Sequence, residues 1–376
     1  MINETRPEHF QNNSVIGRFL SRIHLDSLLL AGLILLSLLS CLILYSTSGQ
    51  HLETLLRQTT RIAIAFFIML FIAQIPPNQI KRYAVNLYII GILLLLAVLI
   101  IGEMGKGAQR WLDLGLFRFQ PSEMIKITTP AAIAWYFSEH ALPPRWKELF
   151  IALLLIAIPT FLIAKQPDLG TALLIASSGA AVFFFAGISW RIMLSSLGGL
   201  IALTPVLWHF MHDYQRARVI TFLNPESDPI GRGYHIIQSK IAIGSGGLYG
   251  KGWLESTQAK LEFLPERSTD FIFAVFAEEF GLLGCVSLLF LYFLITLRSL
   301  YIAVNAQDSF CRLLAGSLSF TFFVYVFVNI GMVIGILPVV GVPLPLISYG
   351  GTSMVTLLIG FGILMSIHTH KNLLSH

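Results

Sequence analysis

Long runs of apolar residues recur along the whole chain and are separated by short polar segments. About 20 apolar residues in an α-helix cross the hydrocarbon core of a bilayer. The runs predict about ten transmembrane helices, at residues 25–45, 62–75, 83–101, 122–137, 149–164, 169–187, 192–211, 271–297, 313–337 and 349–368. We therefore expect an all-α polytopic membrane protein, a single integral membrane domain over residues 1–376, with both termini on one side of the membrane.

The longest polar interruption covers residues 212–270, between the seventh and eighth predicted helices. It is too polar and too rich in Gly and Pro to cross a bilayer, so we expect a large extracytoplasmic (periplasmic) loop. Within it, Tyr234, Ile237 and Ile241 recur at helical spacing, which predicts a short amphipathic helix at the outer membrane surface. Residues 338–345 are too rich in Pro for a regular helix and should form an irregular segment shielded by protein or water.

The composition excludes a soluble globular protein. The 376 residues are 55% hydrophobic and 12% charged, whereas soluble domains carry about 25% charged residues. The first apolar run is not followed by a small-residue cleavage site and should remain as a helix. Cys41, Cys285 and Cys311 lie far apart and show no metal-binding spacing.

The distribution of Lys and Arg bears on orientation, because cytoplasmic loops carry an excess of both. With cytoplasmic termini, 11 of the 25 cations lie inside and 14 outside. Most of the outside cations lie in the loop at 212–270 and around residues 106–126, and without these two regions the count is 11 inside and 3 outside. We expect cytoplasmic termini. The two external clusters would bind either anionic lipid headgroups or an anionic substrate.

The start of the fourth predicted helix carries the first candidate chemistry. Pro121, which follows Gln120, suits the first turn of a helix. Glu123 and Lys126 then lie three residues apart on one face and can form an ion pair. Such a pair is costly in a membrane helix unless it faces a wet cavity. A functional pair and a structural anchor are equally supported by the sequence.

A glycine-rich stretch of the large loop superficially resembles a phosphate-binding loop. It fails that pattern, because Ser245 stands where the first Gly belongs and Gly252 follows Lys251 in place of Ser or Thr. Flexible backbone lining a channel is the expectation. His209 and His212 have ligand-like spacing, but two histidines at a membrane boundary are more typical of interfacial anchors.

Three carboxylates lie where the large loop enters the eighth predicted helix. Asp270 stands at the start of that helix, where the helix dipole favours a negative charge. Glu278 and Glu279 lie about 12–14 Å deeper along the helix axis. Carboxylates at that depth must be paired, hydrated or protonated. They lend some weight to a transporter, which would place charges near the membrane midplane.

Six motifs, in order along almost the whole chain, resemble the SEDS family. They are Arg110-Trp-Leu-Asp-Leu-Gly, Arg118-Phe-Gln-Pro-Ser-Glu, Gln166-Pro-Asp-Leu-Gly-Thr171, Gly233-Tyr-His-Ile-Ile-Gln-Ser-Lys240, Leu264-Pro-Glu-Arg-Ser-Thr-Asp-Phe-Ile-Phe-Ala274 and Gly341-Val-Pro-Leu-Pro-Leu-Ile-Ser-Tyr-Gly-Gly351. The stretches Lys106-Gly-Ala-Gln-Arg-Trp and Pro225-Glu-Ser-Asp-Pro-Ile-Gly favour the rod-shape branch of the family over the division branch. Six motifs in register are a far stronger signal than any one alone.

The resemblance implies a peptidoglycan glycosyltransferase that polymerises lipid II on the outer face of the bacterial inner membrane during cell elongation. Asp270 matches the catalytic aspartate of the family. A general base is needed because the acceptor sugar's 4-hydroxyl loses its proton as it attacks C1 of the donor. Pyrophosphate is already a good leaving group, so the second carboxyl group of glycoside hydrolysis is unnecessary. Cations, or a divalent ion such as Mg²⁺ or Mn²⁺, would stabilise the leaving pyrophosphate, and the need for a metal stays open.

The six motifs and the two external clusters of cations together supply the candidate substrate-binding residues. They are Arg110, Trp111, Arg118, Gln120, Glu123, Lys126, Arg216, Arg218, His235, Gln238, Ser239, Lys240, Arg267 and Ser348. The residues expected to hold pyrophosphate are Arg110, Arg118, Arg216 and Arg218, with Arg267 a weaker candidate.

The implied partners are lipid II, a class B penicillin-binding protein transpeptidase and other membrane proteins of the elongation complex. No nucleic-acid partner is expected. Two alternative functions stay open, a lipid II flippase or transporter and a non-catalytic scaffold of the elongation complex.

Overall fold

The computed structural model describes residues 24–105, 108–113, 115, 118–211, 213–228 and 231–370. The helices in these ranges are α1 (Ser27–Thr47), α2 (Leu52–Ala73), α3 (Pro77–Ile101), α4 (Pro121–Ser138), α5 (Trp146–Lys165), α6 (Leu169–Phe185), α7 (Trp190–Ala202), α8 (Thr204–Phe210), α9 (Asp213–Leu223), α10 (Arg232–Gly246), α11 (Thr257–Lys260), α12 (Ile272–Val304), α13 (Ser309–Val333) and α14 (Thr352–Thr369). Lys106 and His212 lie outside the described residues, as do four of the cations counted as cytoplasmic, Arg6, Arg18, Arg22 and Lys371.

Each predicted apolar segment has a helical counterpart, with two clear differences. The second segment begins at Leu52 rather than at residue 62, and its first turns carry an exposed ion pair between Glu53 and Arg57, residues too polar to be included in an apolar run. The seventh segment is divided into α7 and α8 beside Pro205. Proline lacks a backbone N–H and clashes with the preceding turn, so Pro205 is accommodated in the first turn of α8 and does not extend α7.

Seven of the described helices are long and apolar enough to cross a membrane. They are α1, α2, α3, α5, α12, α13 and α14. A further apolar helix, α6, has 17 residues and is shorter than the others. The chain is therefore a helical integral membrane protein. The sequence predicts ten spans, three more than these seven helices.

The helix α13 lies at the centre of the bundle. Of its most apolar stretch, 72% is buried inside the protein, and it packs against α12, α6 and α4. The end of α1 meets the turn that precedes α12, and the end of α13 meets the Pro-rich segment that precedes α14. We call the end of the bundle where these termini meet the site end.

The helix α12 is broken close to its start, at Gly281. This residue has φ 63° and ψ −163°, a conformation that glycine adopts at little cost. The backbone groups released by the break bond to the glycine-rich stretch of the loop, because Leu282 N donates to Gly247 O at 3.0 Å and Gly252 N donates to Glu279 O at 3.0 Å. A Cβ atom on Gly250 would collide with Glu279 O. The stretch is thus fixed against α12, and the expectation of flexible channel-lining backbone is wrong.

The predicted amphipathic helix of the loop is present as α10, but its buried face differs from the predicted one. Ile236, Ser239 and Ala242 are buried, whereas Ile241 is 47% exposed. This face packs on α12 and α13. The helical spacing of the apolar residues predicted the helix correctly. Which of its faces is buried depends on the neighbouring helices, and the sequence of this segment alone does not specify them.

Candidate active site

Asp270 is fixed at the site end by backbone contacts on both sides. Asn329, a buried residue of α13, donates through Nδ2 to Asp270 O at 2.9 Å and to Val342 O at 2.7 Å. The side-chain amide of Asn329 therefore connects the backbone just before α12 with the backbone of the segment at 338–345. The contribution of Asn329 was missed by the sequence analysis, since an isolated Asn within an apolar run carries no local signal of a distant partner.

The segment at 338–345 is irregular, as predicted, and lies against Asp270. Gly341 has φ 74°, and a Cβ atom placed on it would lie 3.4 Å from Asp270 Oδ2. Ser348 accepts from Leu344 N at 2.8 Å and donates to Thr269 O at 2.6 Å. The hydroxyl of Ser348 is thus engaged in holding the Pro-rich segment against the turn that carries Asp270.

Arg267 is engaged in a similar structural set of contacts. Its guanidinium group donates to Thr47 O at 2.8 Å, to Ala259 O at 2.8 Å and to Glu262 Oε1 at 3.1 Å. These bonds join the end of α1 and the short helix α11 to the turn before Asp270. The geometry makes Arg267 a support for the position of this turn.

A cavity of about 130 Å³ lies beside the start of α12 and is lined by Arg218 and His235, among others. The His235 ring stacks on Phe271, the residue after Asp270, with 5.6 Å between ring centres. Burial lowers the pKa of His235 below its ordinary value, although the nearby Glu266 carboxylate opposes that shift. The imidazole is therefore neutral at pH 7.

The other loop residues that were predicted to contact the substrate do not line this cavity. Ser239 is buried and donates to Val333 O at 2.8 Å, which joins α10 to the end of α13. The exposed Lys240 lies against Gly335, and Gln238 is half-buried. Arg216 donates to Trp208 O at 3.0 Å and to His209 O at 2.7 Å, at the end of α8.

A small antiparallel sheet precedes α4 and carries three of the predicted site residues. Its strands are β1 (Glu103–Gly105), β2 (Ala108–Asp113) and β3 (Arg118–Phe119), in the order β1-β2-β3. Arg110 and Trp111 lie in β2 and are partly buried, and Arg118 lies in β3 and is exposed. Gln120 follows the sheet and is buried at the start of α4. Strands of this length are too short to show a clear alternating pattern, so the sequence analysis missed them.

Arg110 pairs with the start of α6. Its Nε lies 3.4 Å from Asp168 Oδ2, and its second terminal nitrogen donates to Pro167 O at 2.7 Å. Asp168 also accepts from Thr171 N at 3.2 Å and so caps α6. Asp168 belongs to one of the motifs noted in the sequence, but its pairing with Arg110 is decided by the tertiary structure.

The predicted pair of Glu123 and Lys126 is formed. Lys126 Nζ lies 2.7 Å from Glu123 Oε1, and the two side chains are 6% and 8% exposed. Ser353, at the start of α14, donates to the same carboxylate at 3.1 Å. Lys126 Nζ also lies 5.3 Å from the centre of the Tyr325 ring of α13. The pair therefore joins α4 to two other helices beneath the Pro-rich segment.

We expect either single truncation of this pair, Glu123→Ala or Lys126→Ala, to destabilise the protein more than the exchange of the two residues. A truncation leaves a buried charge without its partner, at a cost of about 3–5 kcal/mol, whereas the exchange restores opposite charges. The measurement is the apparent melting temperature of the purified protein in detergent. Lys81→Ala, which breaks an exposed pair with Glu139, is the control. Equal damage from the exchange and the truncations would contradict a role based on pairing.

The Glu278 carboxylate is fully buried and lies within a network of donors from the loop. Lys251 Nζ lies at 2.6 Å, Ser256 Oγ at 2.5 Å and Thr257 Oγ1 at 2.7 Å. The backbone nitrogen of Thr257 donates at 3.1 Å as well. Glu279 accepts from Ser46 near the end of α1. Glu278 is thus paired, which is one of the three states (paired, hydrated or protonated) expected of a carboxylate at that depth.

The described part of the chain contains no group of three or more His, Cys, Asp or Glu side chains placed to hold an ion. The charged side chains that the structure places at the site end include Arg267, Glu262 and Asp270.

A bundle of long apolar helices, with polar side chains gathered at one end around a fixed aspartate, is the architecture of a polytopic membrane protein with a candidate site at that end. The chain belongs to the FTSW_RODA_SPOVE family, described as cell cycle proteins, whose profile matches residues 19–373. This membership confirms the family predicted from the six motifs.

Relatives with curated names share most of the chain. The chain is 56% identical over 358 residues to the peptidoglycan glycosyltransferase MrdB of Escherichia coli K12, which covers 95% of this chain and 97% of that protein. It is 38% identical over 353 residues to the protein of the same name from Helicobacter pylori J99, covering 92% of this chain and 90% of that protein.

Two solved structures share the fold. The rod shape determining protein RodA of Thermus thermophilus matches with a TM-score of 0.70 and 28% identity, over 92% of this chain and 98% of that chain. A chain from a structure described as the structural coordination of polymerization and crosslinking by a peptidoglycan synthase complex matches with a TM-score of 0.80 and 33% identity. That match covers 91% of this chain and 97% of the other.

Proposed function

We propose that this peptidoglycan glycosyltransferase polymerises lipid II into glycan strands on the outer face of the inner membrane during cell elongation. The observation that carries the proposal is Asp270, held at the membrane boundary by Asn329 and faced by Gly341. The names of the relatives from two species support the enzyme class. The apolar exterior of the bundle supports a substrate that is anchored in the membrane by a lipid.

The proposed reaction forms one glycosidic bond and breaks one bond to phosphate. The acceptor 4-hydroxyl attacks C1 of the donor sugar, and its proton passes to the Asp270 carboxylate. The bond between C1 and the pyrophosphate oxygen breaks, and the pyrophosphate leaves with the electron pair. A base positioned within hydrogen-bond reach contributes about 10²–10⁴-fold to such a step. The contacts to the backbone around Asp270 would keep its carboxylate in a constant position.

The arginines of the two external clusters are proposed to hold pyrophosphate, because a guanidinium group can contact phosphate oxygens in a bidentate manner. Arg218 has the best position of the four, since it lines the cavity beside His235 and Phe271. Arg110 and Arg216 already donate to backbone carbonyl groups.

The proposed topology places ten spans in the membrane, the large loop at 212–270 outside and both termini in the cytoplasm. The distribution of Lys and Arg supports this orientation once the two external clusters are assigned to the substrate. A class B penicillin-binding protein is the proposed partner, together with other membrane proteins of the elongation complex. The similarity to a chain of a peptidoglycan synthase complex supports such an assembly.

The flippase alternative depends on carboxylates that exchange protons or ions within the membrane. Glu278 supports it poorly, because five donors of the loop surround its carboxylate at 2.5–3.3 Å. A carboxylate engaged in this way is a fixed structural group. The glycosyltransferase assignment explains the position of Asp270 and does not require mobile charges in the bundle.

The test of the function uses purified protein in vesicles that contain fluorescent lipid II. A glycosyltransferase forms a ladder of polymers on a gel. A flippase moves the label between leaflets without forming polymer, and a scaffold does neither. The second and third results would overturn the proposed reaction.

For the cations, we expect Arg218→Lys to lower the polymerisation rate roughly tenfold or more, because a lysine keeps the charge but loses the bidentate contact. At least one of the variants Arg110→Lys, Arg118→Lys and Arg216→Lys should also show a lower polymerisation rate. The measurement is the rate at saturating and limiting lipid II, at matched amounts of folded protein. Arg57→Lys, in an exposed pair on α2, is the control. Full activity in all four variants would favour the anchoring of lipid headgroups.

A further inference from the structure

The part of the large loop that follows α10 turns back along the outer surface of α1. Trp253 Nε1 donates to Leu42 O at 3.2 Å, and the Trp253 ring lies 6.1 Å from the ring of Tyr45. Both contacted residues precede Thr47, the last residue of α1. The chain therefore passes the end of α1 and reaches the side of that helix. We call residues 247–254 the returning segment.

The length of α1 gives the level that the returning segment reaches. Asp26, just before α1, pairs with Arg298 of α12 at 2.5 Å, at the end opposite the site end. Charged groups are costly in hydrocarbon, so this pair marks one boundary of the membrane. Leu42 follows Asp26 by 16 residues, which is about 24 Å of helix, whereas the hydrocarbon core is about 30 Å thick. Trp253 thus contacts α1 roughly 6 Å inside the core.

The backbone of the returning segment is bonded as this level requires. Backbone outside a helix is tolerated at membrane depth where protein groups bond to it. Four bonds join the segment to the broken part of α12: Leu282 N to Gly247 O at 3.0 Å, Leu283 N to Leu248 O at 3.1 Å, Lys251 N to Glu278 O at 3.0 Å and Gly252 N to Glu279 O at 3.0 Å. The break in α12 therefore supplies partners that a non-helical segment would otherwise take from water.

The outward side chains of the returning segment are apolar or amphipathic. Leu248 is 60% exposed, Tyr249 80% and Trp253 45%. They continue the exposed apolar surface of the two adjacent helices, which includes Leu42 of α1 and Leu283 of α12. That surface faces the lipid, and Tyr and Trp are enriched where acyl chains meet headgroups. The segment therefore extends a surface that already contacts lipid.

We propose that the returning segment is inserted in the leaflet at the site end, where its three exposed side chains contact the acyl chains and glycerol region of phospholipids. The exposed pair of Glu255 and Lys260, which follows the segment, stays in water. Because the segment is bonded to the start of α12, its contact with lipid holds the Asp270 turn at a constant height above the bilayer. This inference does not depend on the proposed reaction.

The test uses single fluorophores on purified protein in phosphatidylcholine vesicles. Cys41, Cys285 and Cys311 are replaced by alanine, and an environment-sensitive fluorophore is attached at Tyr249→Cys or, as the matched control, at Glu255→Cys, an exposed position six residues further on. A nitroxide on the lipid acyl chain should quench the fluorophore at residue 249 several times more strongly than at residue 255. Iodide in the water should show the opposite order. Each labelled protein must elute from a sizing column as the wild type does.

Each result decides the proposal. Quenching by lipid at residue 249 and by iodide at residue 255 supports it, and a probe at Leu248→Cys should behave like the one at residue 249. Iodide quenching at all three positions would overturn it, because the segment would then lie in water. A fluorophore at residue 249 shielded from both quenchers would also overturn it, since a protein surface would then cover the segment. Equal lipid quenching at residues 249 and 255 would do the same, because the contact would not be confined to the segment.

Discussion

Polymerisation of lipid II by Asp270→Asn is expected to fall by about 10²–10⁴-fold, the usual contribution of a general base. The amide has nearly the shape of the carboxylate, but it cannot accept the proton of the acceptor hydroxyl. The contacts that fix this turn use backbone groups, as Asn329 donates to Asp270 O and Ser348 donates to Thr269 O. The variant should therefore fold, insert in the membrane and bind its partner. The measurement is the initial rate of polymer formation by purified protein.

The matched control for Asp270 is Glu255→Gln, which removes a carboxylate from the same loop. Glu255 pairs with Lys260 at 3.1 Å, and its side chain is 64% exposed. Exposed pairs of this kind contribute about 0–1 kcal/mol, so the control should retain most of the activity. Nearly normal polymerisation by pure Asp270→Asn would remove Asp270 from the role of general base.

The second large effect is expected for Glu278→Ala. Truncation leaves Lys251 Nζ, Ser256 Oγ and Thr257 Oγ1 without the carboxylate that they surround. Breaking a buried ion pair costs about 3–5 kcal/mol; the cost here should lie at the lower end, since the Lys251 side chain is 31% exposed. The apparent melting temperature in detergent should fall by roughly 5 °C.

Activity should fall together with stability in this variant, because the Glu278 network orders the loop before Asp270. The carboxylate holds the start of α11, whose Ala259 O accepts from Arg267 at 2.8 Å. Glu255→Gln is the control, since Glu255 forms an exposed pair with Lys260 at 3.1 Å. A Glu278→Ala protein that melts like the control would contradict the role of Glu278 as the fixed point of the loop.

Helix positions were predictable because a bilayer imposes a local rule. Backbone groups in the hydrocarbon core must be bonded within their own helix, so each span requires its own apolar run. The predicted segment 25–45 and the observed Ser27–Thr47 agree closely for this reason. The break at Gly281 escaped prediction because its released backbone groups bond to residues 247–252, which are distant in sequence.

The roles of polar residues were less predictable than their importance. The motifs included Arg267, Ser239 and Ser348 as substrate contacts, but the structure engages all three in bonds between separate segments. A motif records that a residue type is needed at a position. It does not distinguish a group that touches the substrate from one that positions the backbone.

The sequence by itself determined the class of protein, the family and the candidate base, Asp270, because apolar runs and ordered motifs are local properties of the chain. It also predicted the pair of Glu123 and Lys126, whose spacing on one helix fixes their distance. The tertiary structure decided what surrounds these groups. The donors around Glu278 and the Asn329 amide that donates to Asp270 O come from other segments of the chain. Their approach depends on how the helices pack, and no periodicity within one segment specifies that.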